Sequence, residues 1–221
     1  MAIPVLILGN SGTGKSASMR NFPAGSVGVF NVQGKPFPFP GGNKLARVDT
    51  DDYAKIAAGL KAAQVRSMVV DDAQYLMANQ FMRTASQIGY QKFTDMAQNY
   101  WNLIQTAISL PNDKIVYFLQ HIELDANGNE KAKTIGKMLD EKITVEGMFT
   151  IVLKTNVTDG VYSFVTHNTG HDTVKSPMGM FEQDLIPNDL YEVDKIIRNY
   201  YGLKPLVDAI DNNKKGEEKK K

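Results

Sequence analysis

Val5-Leu6-Ile7-Leu8 runs directly into Gly9-Asn10-Ser11-Gly12-Thr13-Gly14-Lys15-Ser16, and this junction decides the fold. Four consecutive apolar residues closed by a glycine predict a short buried strand. The next eight residues satisfy G-x-x-x-x-G-K-[S/T] at every position. Glycines permit backbone angles at which successive N–H groups point into one concavity, which suits a polyphosphate. A helix expected from about Lys15 to Asn21, stopped near Pro23, turns its positive end toward the same place. In such a loop Gly9, Asn10, Ser11, Gly12, Thr13, Gly14, Lys15 and Ser16 cradle a nucleotide. Lys15 reaches the β- and γ-phosphates, and the Ser16 hydroxyl ligates Mg²⁺. ATP and Mg²⁺ are therefore the expected ligands.

A phosphate loop requires an acidic partner at the end of a neighbouring apolar strand. Ser67-Met68-Val69-Val70-Asp71-Asp72 supplies one, with Asp71 expected to hold the metal through a water. Two bland alternatives stand beside this: either aspartate is of the type that caps a helix, here one beginning near Ala73. Asp72 is otherwise placed to polarise an attacking water. Ile115 to Leu119 is a further continuous apolar run, closed by Gln120 and His121. A polar residue there is positioned to sense the terminal phosphate. Lys15, Asp72 and His121 are thus the expected catalytic residues.

The rest of the chain fits an α/β architecture. Val27 to Val32 reads as a strand. The Gly34 to Gly42 stretch, with Pro36, Pro38 and Pro40, reads as an ordered surface loop. Tyr53, Ile56, Ala57 and Leu60 recur at helical spacing. So do Phe93, Met96, Ala97, Tyr100, Trp101, Ile104 and Ile108, before Pro111 closes the segment. Strands alternating with helices predict a mostly parallel sheet, since parallel neighbours need crossover connections. Asn127-Gly128 and Asp159-Gly160 are hairpin turns, so the second half is expected to add antiparallel strands at the sheet edge. Asp125, Asn127 and Asn129 alternate as in a calcium loop, but Glu130 stands where that loop needs glycine, and a hairpin tip is the better reading. A last helix is expected from near Asn188, with Leu190, Val193, Ile197 and Tyr200 inward. One core over residues 1–211 and a lysine-rich, disordered tail over 212–221 complete the organisation.

Composition narrows the function classes. The chain has no cysteine, which excludes disulfides and thiolate chemistry. The formal charge of +1 gives no global field for nucleic acid, although the basic tail leaves the body mildly acidic. No apolar run reaches membrane-spanning length, and the N-terminus lacks the pattern of a secretory signal. A cytoplasmic protein is expected, with the sequon Asn156-Val157-Thr158 incidental.

The phosphate loop, Val69-Val70-Asp71-Asp72, Gln120-His121 and Lys133-Thr134-Ile135-Gly136-Lys137-Met138-Leu139-Asp140 together resemble phage-encoded RecA-like ATPases. Within that group the chain is similar to phage single-strand annealing recombinases that keep only the RecA core, over roughly Ile3 to Leu203. The resemblance implies a RecA-like P-loop core, ATP-linked binding of single-stranded DNA, strand annealing or exchange, and homo-oligomeric rings or filaments. A single-strand-binding protein is an implied further partner. It also implies that two segments, Gln87 to Thr94 and Ile122 to Gly147, face DNA. These carry Lys92, Phe93, Lys131, Lys133 and Lys137 as candidate DNA contacts, although core is the favoured reading of Phe93, which begins the apolar helix face. A neighbouring subunit is expected to lend a cation, for which Lys154 and Lys175 are the candidates. One departure is plain. Where RecA-like enzymes carry a glutamate after the second strand, this chain reads Val29-Phe30-Asn31-Val32-Gln33-Gly34. Binding of nucleotide is thus a firmer expectation than its hydrolysis. A P-loop kinase is the alternative enzyme, against which the scattered Arg20, Arg47, Arg66, Arg83 and Arg198 argue. A GTPase is disfavoured because Asn43-Lys44-Leu45-Ala46 lacks the aspartate that reads guanine. A non-catalytic, ATP-gated adaptor of replication is the third reading.

Overall fold

The computed structural model describes residues 1–206 of the chain, so the tail expected over 212–221 lies outside the described residues. The apolar runs form strands. In chain order they are β1 (Ile3–Leu8), β2 (Val27–Asn31), β3 (Ala46–Asp49), β4 (Ser67–Asp71) and β5 (Ile115–Gln120). The hairpin strands β6 (Ile122–Leu124) and β7 (Glu130–Ala132) come next, then β8 (Ile151–Thr158), β9 (Val161–Val165) and β10 (Leu185–Pro187). The helices are α1 (Tyr53–Ala62), α2 (Gln74–Arg83), α3 (Gln91–Ser109) and α4 (Leu190–Tyr200).

Eight strands make one sheet in the order β10-β9-β8-β1-β5-β4-β2-β3. The six from β8 to β3 run parallel, while β9 and β10 are added antiparallel. This amends the expectation for the second half. β8 is not an antiparallel addition to an edge; it pairs in parallel with β1, and the antiparallel pairings begin with the β8–β9 hairpin. Nothing in its local sequence distinguishes the two, because strand direction is set by the long connection that precedes it.

Side chains alternate across the sheet and fill two cores. Leu6, Leu8, Met68, Val70, Val116 and Phe118 face α1, α2 and α3. Val5, Ile7, Val69, Ile115, Tyr117 and Leu119 face α4 and the turn carrying Met19 and Phe22. Strands buried on both faces read as unbroken apolar runs, which is why the sequence announces them so clearly. β3 and β10 carry no such signal: Ala46-Arg47-Val48-Asp49 is a short, largely exposed edge with no apolar run to mark it.

The helix faces differ in detail from the expected ones. On α3 the buried set is Met96, Ala97, Tyr100, Leu103, Ile104 and Ala107, and Trp101 lies on the exposed flank. On α4, Tyr200 is exposed, and the inward positions include Asp194 and Arg198. These two form a buried ion pair at 2.5 Å. Arg198 also donates to the Ser67 hydroxyl and to the carbonyls of Arg66, Asp113 and Lys204, while the Tyr117 and Ser67 hydroxyls donate to Asp194. Ser67 opens β4, so the network fastens α4 to the amino end of the sheet, opposite the phosphate loop.

Candidate functional site

The carboxyl ends of the central strands meet at one edge. Leu8 is in register with Gln120, and Asn31 with Asp71, so the phosphate loop, His121, Asp71 and Asp72 emerge side by side. β5 lies between β1 and β4. This order sets the residue after β5 between the loop and the acidic pair. A pocket of about 420 Å³ opens there, lined by Gly12, Gly14, Lys15, Ser16, Asp71, Asp72 and His121 among others.

The loop holds its shape through two glycines and a brace. Gly12 and Gly14 have φ of 79° and 95°, in the left-handed region that a side chain disfavours. A Cβ at Gly9 would lie 1.8 Å from Thr155 Oγ1, so this position needs glycine for space. Thr155, on β8, shares a hydrogen bond of 2.6 Å with Thr13 and donates to the Leu8 carbonyl. β8 therefore braces the loop from behind. After Lys15 the chain forms a six-residue 3₁₀ helix, Ser16–Asn21, shorter than a typical α-helix. Its dipole is correspondingly small, and the loop amides and Lys15 supply most of the positive field.

Lys15 is buried and folds back to donate to the carbonyls of Gly9 and Asn10 at 2.9 and 2.8 Å. Burial lowers its pKa to about 8, against the opposing pull of Asp72 and Asp71. The Ser16 hydroxyl donates to Asp71 Oδ1 at 2.8 Å. Asp71 is pushed up to about 6, by burial first and by the adjacent Asp72 second. Neither aspartate caps α2, whose N-cap is Ala73 with no side-chain bond. Asp72 instead adopts φ of 60°, a strained angle that accompanies its place in the pocket wall. Burial would raise its pKa, yet His121 and Lys35 hold it below the usual carboxylate range. His121 Nε2 lies 3.7 Å from Asp72 Oδ1, and its ring meets Tyr75 edge-on. Gln120 points away: its amide donates to the Lys133 carbonyl and accepts from the buried Tyr100 hydroxyl.

The Ser16 hydroxyl and Asp71 carboxylate fit Mg²⁺. Among the described residues no cluster of three or more His, Cys, Asp or Glu could hold a metal by itself. Two protein oxygens at the loop suit a small hard cation that takes its other ligands from phosphates and water.

The other expected contacts lie apart. Lys92 donates to the Gln87 carbonyl and sits over Phe81 and Phe93, and Phe93 is half-buried against Phe81. Lys131 is held by Asp140 and Glu123, while Lys133 and Lys137 are exposed. Lys154 is paired internally with Glu130 and Asp172, at 2.5 and 3.0 Å. Lys175 is exposed, and its backbone pairs with Val152. Several residues in or behind the pocket carry no motif, among them Lys35, Asn31, Tyr162 and Thr155. Only contacts distant in sequence reveal them.

A scan against protein-family models finds no match, and none of the curated proteins matches the sequence. Fold and site define a class: a mixed, mostly parallel α/β sheet with a glycine-rich loop that carries the G-x-x-x-x-G-K-[S/T] pattern at the carboxyl end of its strands.

Proposed function

We propose that this chain is a RecA-type, magnesium-dependent nucleoside-triphosphate-binding protein, an ATPase that works on single-stranded DNA as an oligomer. The observation that carries the reading is the 2.8 Å hydrogen bond from Ser16 to Asp71, next to the buried Lys15. Motif residues 55 positions apart meet beside the glycine-rich loop, as a pair that holds a cation next to bound phosphates would. Bound Mg²⁺ would neutralise the developing charge on the phosphates. Ser16 and Asp71 would hold it, Lys15 would exchange its two carbonyls for phosphate oxygens, and His121 stands where the terminal phosphate would lie.

The DNA side of the reading rests on the resemblance and on two features of the surface. Tyr90 is 87% exposed in the turn before α3, as a base-stacking ring would be. His121 is also wired to the second candidate segment. The Lys133 N–H donates to the His121 carbonyl at 2.8 Å, and Gln120 grips the Lys133 carbonyl at 2.7 Å. A shift at the terminal phosphate would thus reach the backbone of Lys133. Calorimetric titration with Mg·ATP tests the core of the proposal. Wild-type protein should bind and Lys15→Ala should lose at least about tenfold in affinity; unchanged binding by the variant would refute it.

The ATP-gated adaptor is the second reading, favoured by the lack of a carboxylate over Val29 to Gly34 and by Asp72 already engaged with Lys35. Single-turnover measurement separates the two. Bound ATP that persists with DNA present indicates the adaptor.

A further inference from the structure

We propose that Lys35 is a second phosphate-binding cation, supplied by the chain itself from the proline-rich loop and held on Asp72 until a γ-phosphate arrives. This rests on the proposed nucleotide binding and adds to it a residue that no motif marks.

Lys35 is placed rather than trailing. Its carbonyl accepts from the buried Asn31 amide at 2.7 Å. The preceding Gly34 turns at φ of 64°, and its carbonyl accepts from Arg47 Nη2 at 2.9 Å. Both flanking peptide groups are thus tied to β2 and β3, and Pro36 and Pro38 stiffen the loop along the pocket wall. The side chain remains 60% exposed, so it is free to move. Its ammonium lies 3.2 Å from Asp72 Oδ2 and 5.1 Å from the centre of the Tyr75 ring. Lys35 is also near enough to Lys15 to contribute to lowering the pKa of that residue.

Lys15 and Lys35 line one pocket and repel each other, so an anion must be shared between them. Without nucleotide that anion is Asp72. A triphosphate offers more negative charge than one carboxylate, and its terminal oxygens accept from a lysine in any orientation, since ammonium is a compact point charge. The swing of Lys35 from Asp72 to the γ-phosphate would also release Asp72 toward His121. A diphosphate lacks the group that draws Lys35 across.

Isothermal titration with Mg·ATP and Mg·ADP decides the matter, using wild type, Lys35→Ala, Lys35→Arg and the double variant Lys35→Ala/Asp72→Asn. Thermal melts confirm folding, and Lys35→Gln, which keeps the stem over Tyr75, stands in if Lys35→Ala does not fold. The expected result is a loss of about tenfold for Mg·ATP in Lys35→Ala, with Mg·ADP little changed and Lys35→Arg largely restored. The double variant should stay weak. Recovery of wild-type affinity in the double variant would show that Lys35 only neutralises Asp72, and would overturn the assignment. Equal losses for ATP and ADP would overturn it as well. In both cases wild-type binding leaves the nucleotide reading intact. Wild-type protein that takes up neither nucleotide removes both.

Discussion

At the scale of single residues, Lys15 and Asp71 are both buried where the isolated chain would leave them hydrated, and each is shifted toward its neutral form. The folded protein thus holds a proton on Asp71 that the unfolded chain gives up. Stability from this group is fully present below pH 3.8, and is lost as the pH rises through about 6. At neutral pH the charged Asp71 therefore costs on the order of 2–3 kcal/mol. Asp71→Asn keeps the oxygen that Ser16 bonds and removes the charge. It should raise the melting temperature of nucleotide-free protein by several degrees at pH 8. The gain should shrink as the pH is lowered toward 4, and Mg·ATP binding should weaken. A melting temperature that falls at pH 8 would contradict this account. The site stores an unfavourable arrangement that a bound cation would relieve, as functional sites often do.

At the scale of elements, α4 depends on charge as well as on apolar packing. Arg198 and Asp194 are almost fully buried, and Arg198 also satisfies three backbone carbonyls. Removing either partner leaves the other charged and unpaired in the core, at a cost of roughly 3–5 kcal/mol. Urea denaturation of Arg198→Ala should show that loss, while Mg·ATP affinity of the folded fraction stays unchanged because the network sits at the far end of the sheet. Asp194→Ala should behave alike. A loss below about 1 kcal/mol would show that water reaches the network. The helical period marks Leu190, Val193 and Ile197 as inward, but it gives no sign that Asp194 and Arg198 join them.

At the scale of the whole molecule, the edge that carries the proposed nucleotide pocket continues through His121 into the segment proposed to meet DNA. The lysines of that segment differ in their freedom. Lys131 is held by Asp140 and Glu123, whereas Lys133 is exposed and Lys137 is paired only loosely with Glu141. If the segment contacts phosphates, Lys133→Ala and Lys137→Ala should each flatten the salt dependence of oligonucleotide binding by about 0.7 in the log–log slope, and Lys131→Ala should not. Fluorescence anisotropy across a salt series measures this. Equal effects from all three would mean a diffuse field, and none would place the DNA elsewhere. Among the described residues no helix is long and apolar enough to cross a membrane.

The sequence by itself determined the central strands β1, β2, β4 and β5, the main helical faces and the residues at the strand ends. Unbroken apolar runs bounded by glycine or acid are local signals, and the backbone obeys them locally. Gly9 to Ser16, Asp71 and His121 were legible for that reason: each comes directly after a run that must be buried. Tertiary structure alone decided that β5 lies between β1 and β4, that β8 runs parallel, that Trp101 faces outward, and that Lys35 reaches Asp72. It also brought Thr155 onto Thr13, 142 residues away. Such pairings depend on which strands lie side by side, and strand order is fixed by the packing of the whole core rather than by any pattern along the chain.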